Sequence, residues 1–238
     1  GMKKLIPFLT AGYPGKKRCG EYLKACVNGG ADGIEIGIPF SDPLADGPVI
    51  QASSQKALEK GVTLRDAFSL AQNVTSVPVY FMTYLNPVYR YGAERFLSRS
   101  KKSGVSGLII PDLPPEEAGT ILPKAPLIFL CSPTCTEKRI AKMARASHEW
   151  IYLVALRGVT GARKGLPSDL TSFVKRVRRS AKKPIYMGFG ISTPRDAAEA
   201  VGLVDGVIVG SAILKKMAAG EKPVQVEKYI RSLRRAID

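Results

Sequence analysis

The sequence predicts a single-domain α/β protein of the (β/α)8 TIM-barrel class, and three observations carry that prediction. A strand pattern and a helix pattern alternate eight times along the chain. No linker and no break in composition divides the series. The length, 238 residues at 45% hydrophobic content, is enough for one large core and falls in the range of one such barrel. Alternation of this kind gives a parallel sheet under helical cover, and eight units close into a cylinder. An open doubly wound sheet is the structural competitor. No G-x-G-x-x-G follows the first strand, so dinucleotide binding on such a sheet lacks its usual sign. The domain is taken as residues 2–238, with Gly1 before Met2 read as an expression remnant.

The elements follow in order. Residues 5–10 read as strand 1, ended by Gly12-Tyr13-Pro14-Gly15, and residues 17–27 carry helical spacing that Asn28-Gly29-Gly30 stops. Residues 33–38 read as strand 2. A helix is expected over 51–59, and Thr63 caps another reaching Ala71. Strand 3 is expected over 77–84 with Asn86-Pro87 as its exit turn, then a helix over 93–102 and strand 4 over 107–110. Pro115-Glu116-Glu117 opens a short helix in the expected order. Strand 5 (127–130), a helix from Thr136 to Arg145, strand 6 (150–156) and a helix over 168–180 follow. Strand 7 (184–187), a helix capped by Thr193, strand 8 (205–209) and the last helices complete the count.

The most informative stretch is Gly33 to Gln51. Ile34, Ile36 and Ile38 alternate with Gly33, Glu35 and Gly37, the period of a strand. A strand covered on both faces should be apolar on both, and an unpaired carboxylate there is costly. Glu35 therefore either pairs with a core Lys or Arg or is functional. The other predicted strand interiors hold no basic residue, which favours function. Beyond the strand, Pro39, Pro43 and Pro48 break regular structure, and Asp42 and Asp46 punctuate a polar loop. Asp46 could share one mouth with Glu35.

Composition narrows the chemistry. No apolar run approaches the roughly 18 residues that cross a bilayer, and the N-terminus is too short for a signal peptide. Cys19, Cys26, Cys131 and Cys135 show no C-x-x-C spacing, and with one His in the chain a zinc site is not expected; reduced cytosolic thiols are. That one His, His148, reads as a surface loop residue, so proton transfer falls to carboxylates, Tyr or Lys. The net charge of +16 concentrates on expected helix surfaces such as 175–183 and 231–235, without interleaved aromatics. It reads as a solvated basic face rather than a nucleic-acid site.

Barrel enzymes work at the C-terminal ends of their strands, often gripping a phosphate after strands 7 and 8. Here Gly188-Phe189-Gly190 follows strand 7, Gly210-Ser211 follows strand 8, and Gly158 to Gly161 follows strand 6. Glycine lets backbone N–H groups approach an anion, and Ser211 could add a hydroxyl. Three such turns in successive positions point to a phosphate site. The long loop after strand 6 could be a lid.

Pro7-Phe8-Leu9-Thr10-Ala11-Gly12-Tyr13-Pro14, the run from Gly30 to Pro48, Met82-Thr83-Tyr84-Leu85-Asn86-Pro87, Pro111-Asp112-Leu113-Pro114, Gly158-Val159-Thr160-Gly161 and Gly188-Phe189-Gly190-Ile191 stand in the order found in tryptophan synthase α subunits, and the chain resembles that family over nearly its whole length. The resemblance implies a barrel that cleaves indole-3-glycerol phosphate to indole and glyceraldehyde 3-phosphate by a reversed aldol reaction. It implies no cofactor in this chain, and a pyridoxal-phosphate-dependent β subunit as partner in a cytoplasmic α2β2 heterotetramer. It assigns acid–base work to Glu35 and the indole N–H contact to Asp46. Phe8, Ile50, Tyr84, Tyr152 and Phe189 would form the indole pocket, with Tyr152 orienting Glu35. Gly161, Gly190, Gly210 and Ser211 would hold the phosphate, and Asp42, Asp112 and Thr160 would belong to the lid and the partner-facing loops.

Three features depart from the family pattern. A short helix usually covers the barrel floor before strand 1, whereas this sequence starts essentially at the strand. Val154-Ala155-Leu156-Arg157 replaces the usual Ser-Arg before Gly-Val-Thr-Gly, which bears on lid closure. The positive charge has no mechanistic account. Two rivals remain: another phosphate-binding barrel such as an isomerase or a Schiff-base aldolase, the latter needing a strand Lys that is not found, and a non-catalytic or catalytically weak α-type barrel kept to activate or seal its β partner.

Overall fold

The computed structural model describes residues 1–154, 169–188 and 190–238. Its eight strands are β1 (Lys4–Thr10), β2 (Ile34–Gly37), β3 (Val79–Met82), β4 (Val105–Ile109), β5 (Leu130–Cys131), β6 (Ile151–Leu153), β7 (Ile185–Met187) and β8 (Gly206–Val209). They form one sheet in the order β4-β3-β2-β1-β8-β7-β6-β5, with every pairing parallel. The two ends of that order meet just ahead of β5. Leu108 N–H donates to Pro126 O at 2.9 Å, and Ile128 N–H donates to Leu108 O at 2.8 Å. The sheet is therefore a closed cylinder, a TIM barrel without a free edge.

Helices α1 (Lys16–Asn28), α2 (Pro48–Glu59), α3 (Leu64–Gln72), α4 (Leu85–Tyr91), α5 (Ala93–Lys102), α6 (Pro115–Ile121), α7 (Glu137–Ala146), α8 (Leu170–Ser180), α9 (Pro194–Val201), α10 (Ser211–Ala218) and α11 (Pro223–Ile237) form the outer layer. Outward strand residues such as Leu9, Ile34, Ile36 and Phe81 are fully buried beneath them. The cap at Thr63 and the cap at Thr193 both form as expected, each completed by an acid three residues on, Asp66 and Asp196. The basic stretch of α8 is partly spent on packing: Arg178 meets Asp205 at 2.6 Å, Arg179 meets Glu137 at 2.9 Å, and Arg176 donates to Pro133 O at 3.1 Å.

Four boundaries differ from the sequence reading. Helix α2 begins at Pro48 rather than at residue 51, because a proline at the first helical position lacks only an N–H that would be unpaired anyway. Asn86-Pro87 is not an exit turn: it lies inside α4, whose Leu85 N–H is taken by the Asp112 carboxylate at 2.9 Å. Strand β3 is correspondingly shorter than expected. Strand β5 sits later than expected, since residues 126–128 serve the closure with β4 instead.

The inside of the cylinder is plugged by aromatic rings. Trp150 packs against Tyr80 at 5.4 Å, edge to face, and against Tyr186 at 4.7 Å. Glycines stand beside the two tyrosines. A Cβ at Gly107 would come 3.0 Å from the Tyr80 ring, and one at Gly206 would come 2.8 Å from that of Tyr186. These side-chain-free positions are what admit three large rings to one cross-section.

Candidate active site

Glu35 lies on β2 between Phe8 of β1 and Tyr80 of β3 in the sheet register, so all three face the interior. The flanking glycines work by ceding space to those neighbours. A Cβ at Gly37 would collide with the Phe8 ring, and one at Gly33 would lie 3.2 Å from that of Tyr80. The result is a carboxyl group at 0% exposure whose two oxygens have no hydrogen-bond partner among the described residues. The alternative of a core Lys or Arg partner is therefore not realised there. Burial, and after it the charge of Asp46, pushes the Glu35 carboxyl up to about 8.

Asp46 sits half-buried where the loop after β2 enters α2. The Tyr84 hydroxyl donates to its Oδ2 at 3.0 Å and accepts the Ala45 N–H at 3.0 Å, while Gln51 Nε2 donates to the Asp46 carbonyl at 2.8 Å. Burial raises the Asp46 carboxyl to about 6, against the lowering effect of the Tyr84 bond. Two carboxyl groups with unequal settings thus lie close enough to interact through charge, one neutral and one ionised near pH 7.

Phe8, Ile50 and Tyr84 line a small cavity together with Asp46, Thr10, Gly37, Ile38, Ser54 and Met82, whereas Glu35 and Tyr152 do not line it. A larger open groove lies elsewhere, at the far ends of β3 and β4 around Gln72, Ser103 and Ser106, and no acid lines it. Tyr152 is buried in the same interior, its ring 5.6 Å from Trp150 and its hydroxyl in the space a side chain at Gly188 would need. No hydrogen bond joins it to Glu35; the two interact through charge, which with burial holds the Tyr152 hydroxyl well above its ordinary range.

After β7 and β8, where the sequence reading expects a phosphate, two helices begin, and their N-termini differ. The start of α9 is already capped: Asp196 N–H donates to Thr193 Oγ1 at 3.1 Å, and the Asp196 carboxylate, placed on the first turn, accepts from Ser192 N at 3.0 Å and from Thr193 N at 2.8 Å. Helix α10 starts at Ser211 after Gly210 with no side-chain cap and no acid in its first turn. An anion is favoured there by unspent donors and by the dipole. Gly190 adopts φ +61°, a conformation few other residues enter. Gly210 is hemmed by Phe8, whose ring would lie 3.2 Å from a Cβ. Thr160, Gly161 and Phe189 lie outside the described residues. On the loops expected to face a partner, Asp42 accepts from Ser41 Oγ at 2.6 Å and Asp112 accepts the Leu85 N–H of α4 at 2.9 Å.

A family profile described as tryptophan synthase alpha chain matches residues 1–237. The chain belongs to that family. The tryptophan synthase alpha chain of Dehalococcoides mccartyi is 46% identical over 99% of this chain and 96% of its own length. That of Caldanaerobacter subterraneus subsp. tengcongensis is 43% identical, over 100% and 95%. Among solved structures, Mycobacterium tuberculosis tryptophan synthase superposes with a TM-score of 0.90 at 34% identity, covering 99% of this chain and 93% of that one. The Legionella pneumophila alpha subunit does so at 0.89 and 35%, over 99% and 93%. As a tryptophan synthase alpha chain family member, the chain is a lyase of tryptophan biosynthesis.

Sequence reasoning overlooked the polar residues of this alpha-chain pocket, of which Thr10 and Ser54 line the cavity. Thr10 Oγ1 pairs with Ser53 Oγ at 2.6 Å, and Ser54 bonds the Phe40 backbone. A signal was available: Ser53, Ser54 and Ala57 form the buried stripe of α2, and two hydroxyls on a buried stripe need partners.

Proposed function

We propose that Glu35 and Asp46 carry out the alpha reaction, the retro-aldol cleavage of indole-3-glycerol phosphate to indole and glyceraldehyde 3-phosphate. Glu35, neutral below about 8, donates its proton to ring carbon 3. As the bond from that carbon to the side chain breaks, its electron pair returns to the ring. The side-chain hydroxyl loses its proton to Glu35, the aldehyde forms, and the acid is regenerated. Asp46, ionised above about 6, accepts the indole N–H and stabilises the positive charge that the ring carries meanwhile. Phe8, Ile50, Tyr84, Tyr152 and Phe189 hold the flat ring. Gly161, Gly190, Gly210 and Ser211 hold the phosphate, with the open N-terminus of α10 as its main anchor.

The observation that carries this reading is the fully buried, unpartnered carboxyl of Glu35 beside Asp46. Glu35→Gln is expected to abolish indole release while inorganic phosphate still competes for the site. Indole release at the parent rate in that variant would sink the assignment. The rate against pH should be bell-shaped, with apparent limbs near the two values above that belong to the pair rather than to either acid.

The same reading assigns a PLP-dependent β subunit as partner in an α2β2 complex, and a cytoplasmic setting. Its support is the pair of large exposed apolar side chains that follow β2 and β3, Leu44 on a loop at 91% and Tyr89 on α4 at 76% exposure. No described helix is long and apolar enough to cross a membrane. Sedimentation of the chain with a β subunit checks the stoichiometry.

A further inference from the structure

Ser53 and Ser54 occupy consecutive positions on α2, and both are almost wholly buried, at 2% and 4% exposure. Buried hydroxyls need hydrogen bonds, and these two find theirs in different places. Ser53 stays with the frame of the barrel, paired with Thr10 of β1 and donating to Ile50 O at 2.8 Å. Ser54 turns to the loop after β2. Its Oγ accepts the Phe40 N–H at 2.9 Å and donates to the Phe40 carbonyl at 3.2 Å, so one side chain fixes both polar groups of that residue. The Phe40 ring in turn stacks on Tyr84, with centroids 5.3 Å apart and planes 30° from parallel. Tyr84 then holds the loop at two points, Ala45 N–H and Asp46 Oδ2.

We propose that Ser54 is a positioning residue for Asp46, acting through Phe40 and Tyr84 to hold residues 40–46 in the arrangement that aims the carboxylate into the cavity. The proposal rests on the role given to Asp46 above. It accounts for a serine on the buried stripe of α2, where an alanine would pack without any hydrogen-bond requirement.

The consequence for titration has a definite sign. Asp46 is faced by Glu35 from β2, by Tyr84 at the start of α4 and by Tyr152 from β6, and Asp112 acts on it through Tyr84. Of these, the Tyr84 hydroxyl is the one that favours the ionised form. Loosening the Phe40–Tyr84 stack weakens that bond, so Asp46 should take up a proton at higher pH.

The test follows the carboxyl carbon resonance of Asp46, assigned with Asp46→Asn, through a pH titration of the full chain. Ser54→Ala is expected to raise the Asp46 midpoint by on the order of half a pH unit or more. The acid limb of kcat/KM should move by the same amount, with kcat falling more than KM rises. Ser54→Thr, which keeps the hydroxyl, should restore both. Ser53→Ala is the control for lost packing: it should cost similar stability and leave the midpoint in place. Should Ser54→Ala fail to fold, Phe40→Leu, which keeps bulk and backbone bonds but loses the stack, is expected to give the same shift. An unmoved midpoint in Ser54→Ala, or in Phe40→Leu if that variant must stand in, overturns the proposal, as does an equal shift in Ser53→Ala. The reading of Asp46 itself fails by a different result, Asp46→Asn releasing indole at the parent rate.

Discussion

Glu35 is expensive to keep. Most buried carboxylates are paired, and an unpaired one stays neutral only because ionising it in an apolar setting costs more than holding its proton. That cost has a pH signature. The folded carboxyl titrates near 8, against an ordinary value of 4.5. Between those two values the unfolded chain has released the proton while the folded one retains it. Stability is therefore full below about 4.5 and is lost as pH rises toward 8, by a few kcal/mol in all. Urea denaturation at a series of pH values should show this decline, and Glu35→Gln should flatten it. An equal decline in that variant would mean another group is responsible. The position of Glu35 was legible in the sequence because strict alternation assigns each residue of a strand to a face without help from the rest of the fold. Ser54 was not legible, because its partner is a loop residue fourteen positions away that only the folded turn brings near.

Among the elements, the helices with side-chain caps were the best anticipated: Thr63 with Asp66 and Thr193 with Asp196 are local signals, and local geometry satisfies them. Helices α2 and α4 were misjudged where proline was read as a breaker, although both begin with or just before one. In α4 the missing ingredient was Asp112, a distant residue whose carboxylate takes the Leu85 N–H. The contrast between α9 and α10 matters for function. Helix α9 uses its own aspartate at its N-terminus, whereas α10 leaves its first turn open. Ser211→Asp would place a carboxylate on that turn. It should leave thermal stability unchanged or slightly raised, because the charge suits the dipole. It should also raise KM for the phosphorylated substrate about tenfold or more, because two anions then compete for one set of donors. Asp196→Asn should do the reverse, costing about 1 kcal/mol of stability with KM little changed. If the two variants exchanged their effects on KM, the phosphate would belong to α9.

At the scale of the whole molecule, eight alternating units make a barrel, and the sequence carried that count plainly. How the ring closes was only partly legible: Leu127 and Ile128, expected in strand 5, do pair with β4, but Pro126, which supplies only its carbonyl, lay outside any strand pattern. The interior plug was hidden for a similar reason: Tyr80 of β3, Tyr186 of β7 and Trp150 just before β6 are far apart in sequence, and Gly107 and Gly206 leave the room beside the two tyrosines. This plug and the outer layer should answer differently to the same insult. Phe68 is fully buried among Phe81, Tyr91 and Phe96 outside the cylinder, with ring centroids 5.7 to 5.9 Å away. Trp150 is equally buried inside it. Truncating either to alanine should cost about 3–5 kcal/mol and lower Tm by on the order of 10 °C for a chain of this size. Trp150 also packs against Tyr152, which interacts with Glu35. Trp150→Ala is thus expected to lose kcat several-fold at a temperature where it is still fully folded, while Phe68→Ala keeps its parent value there. Calorimetry paired with an indole-release assay separates the two effects. Equal kcat in both variants would mean that the plug bears on stability alone and that the chamber around Glu35 is shaped without it.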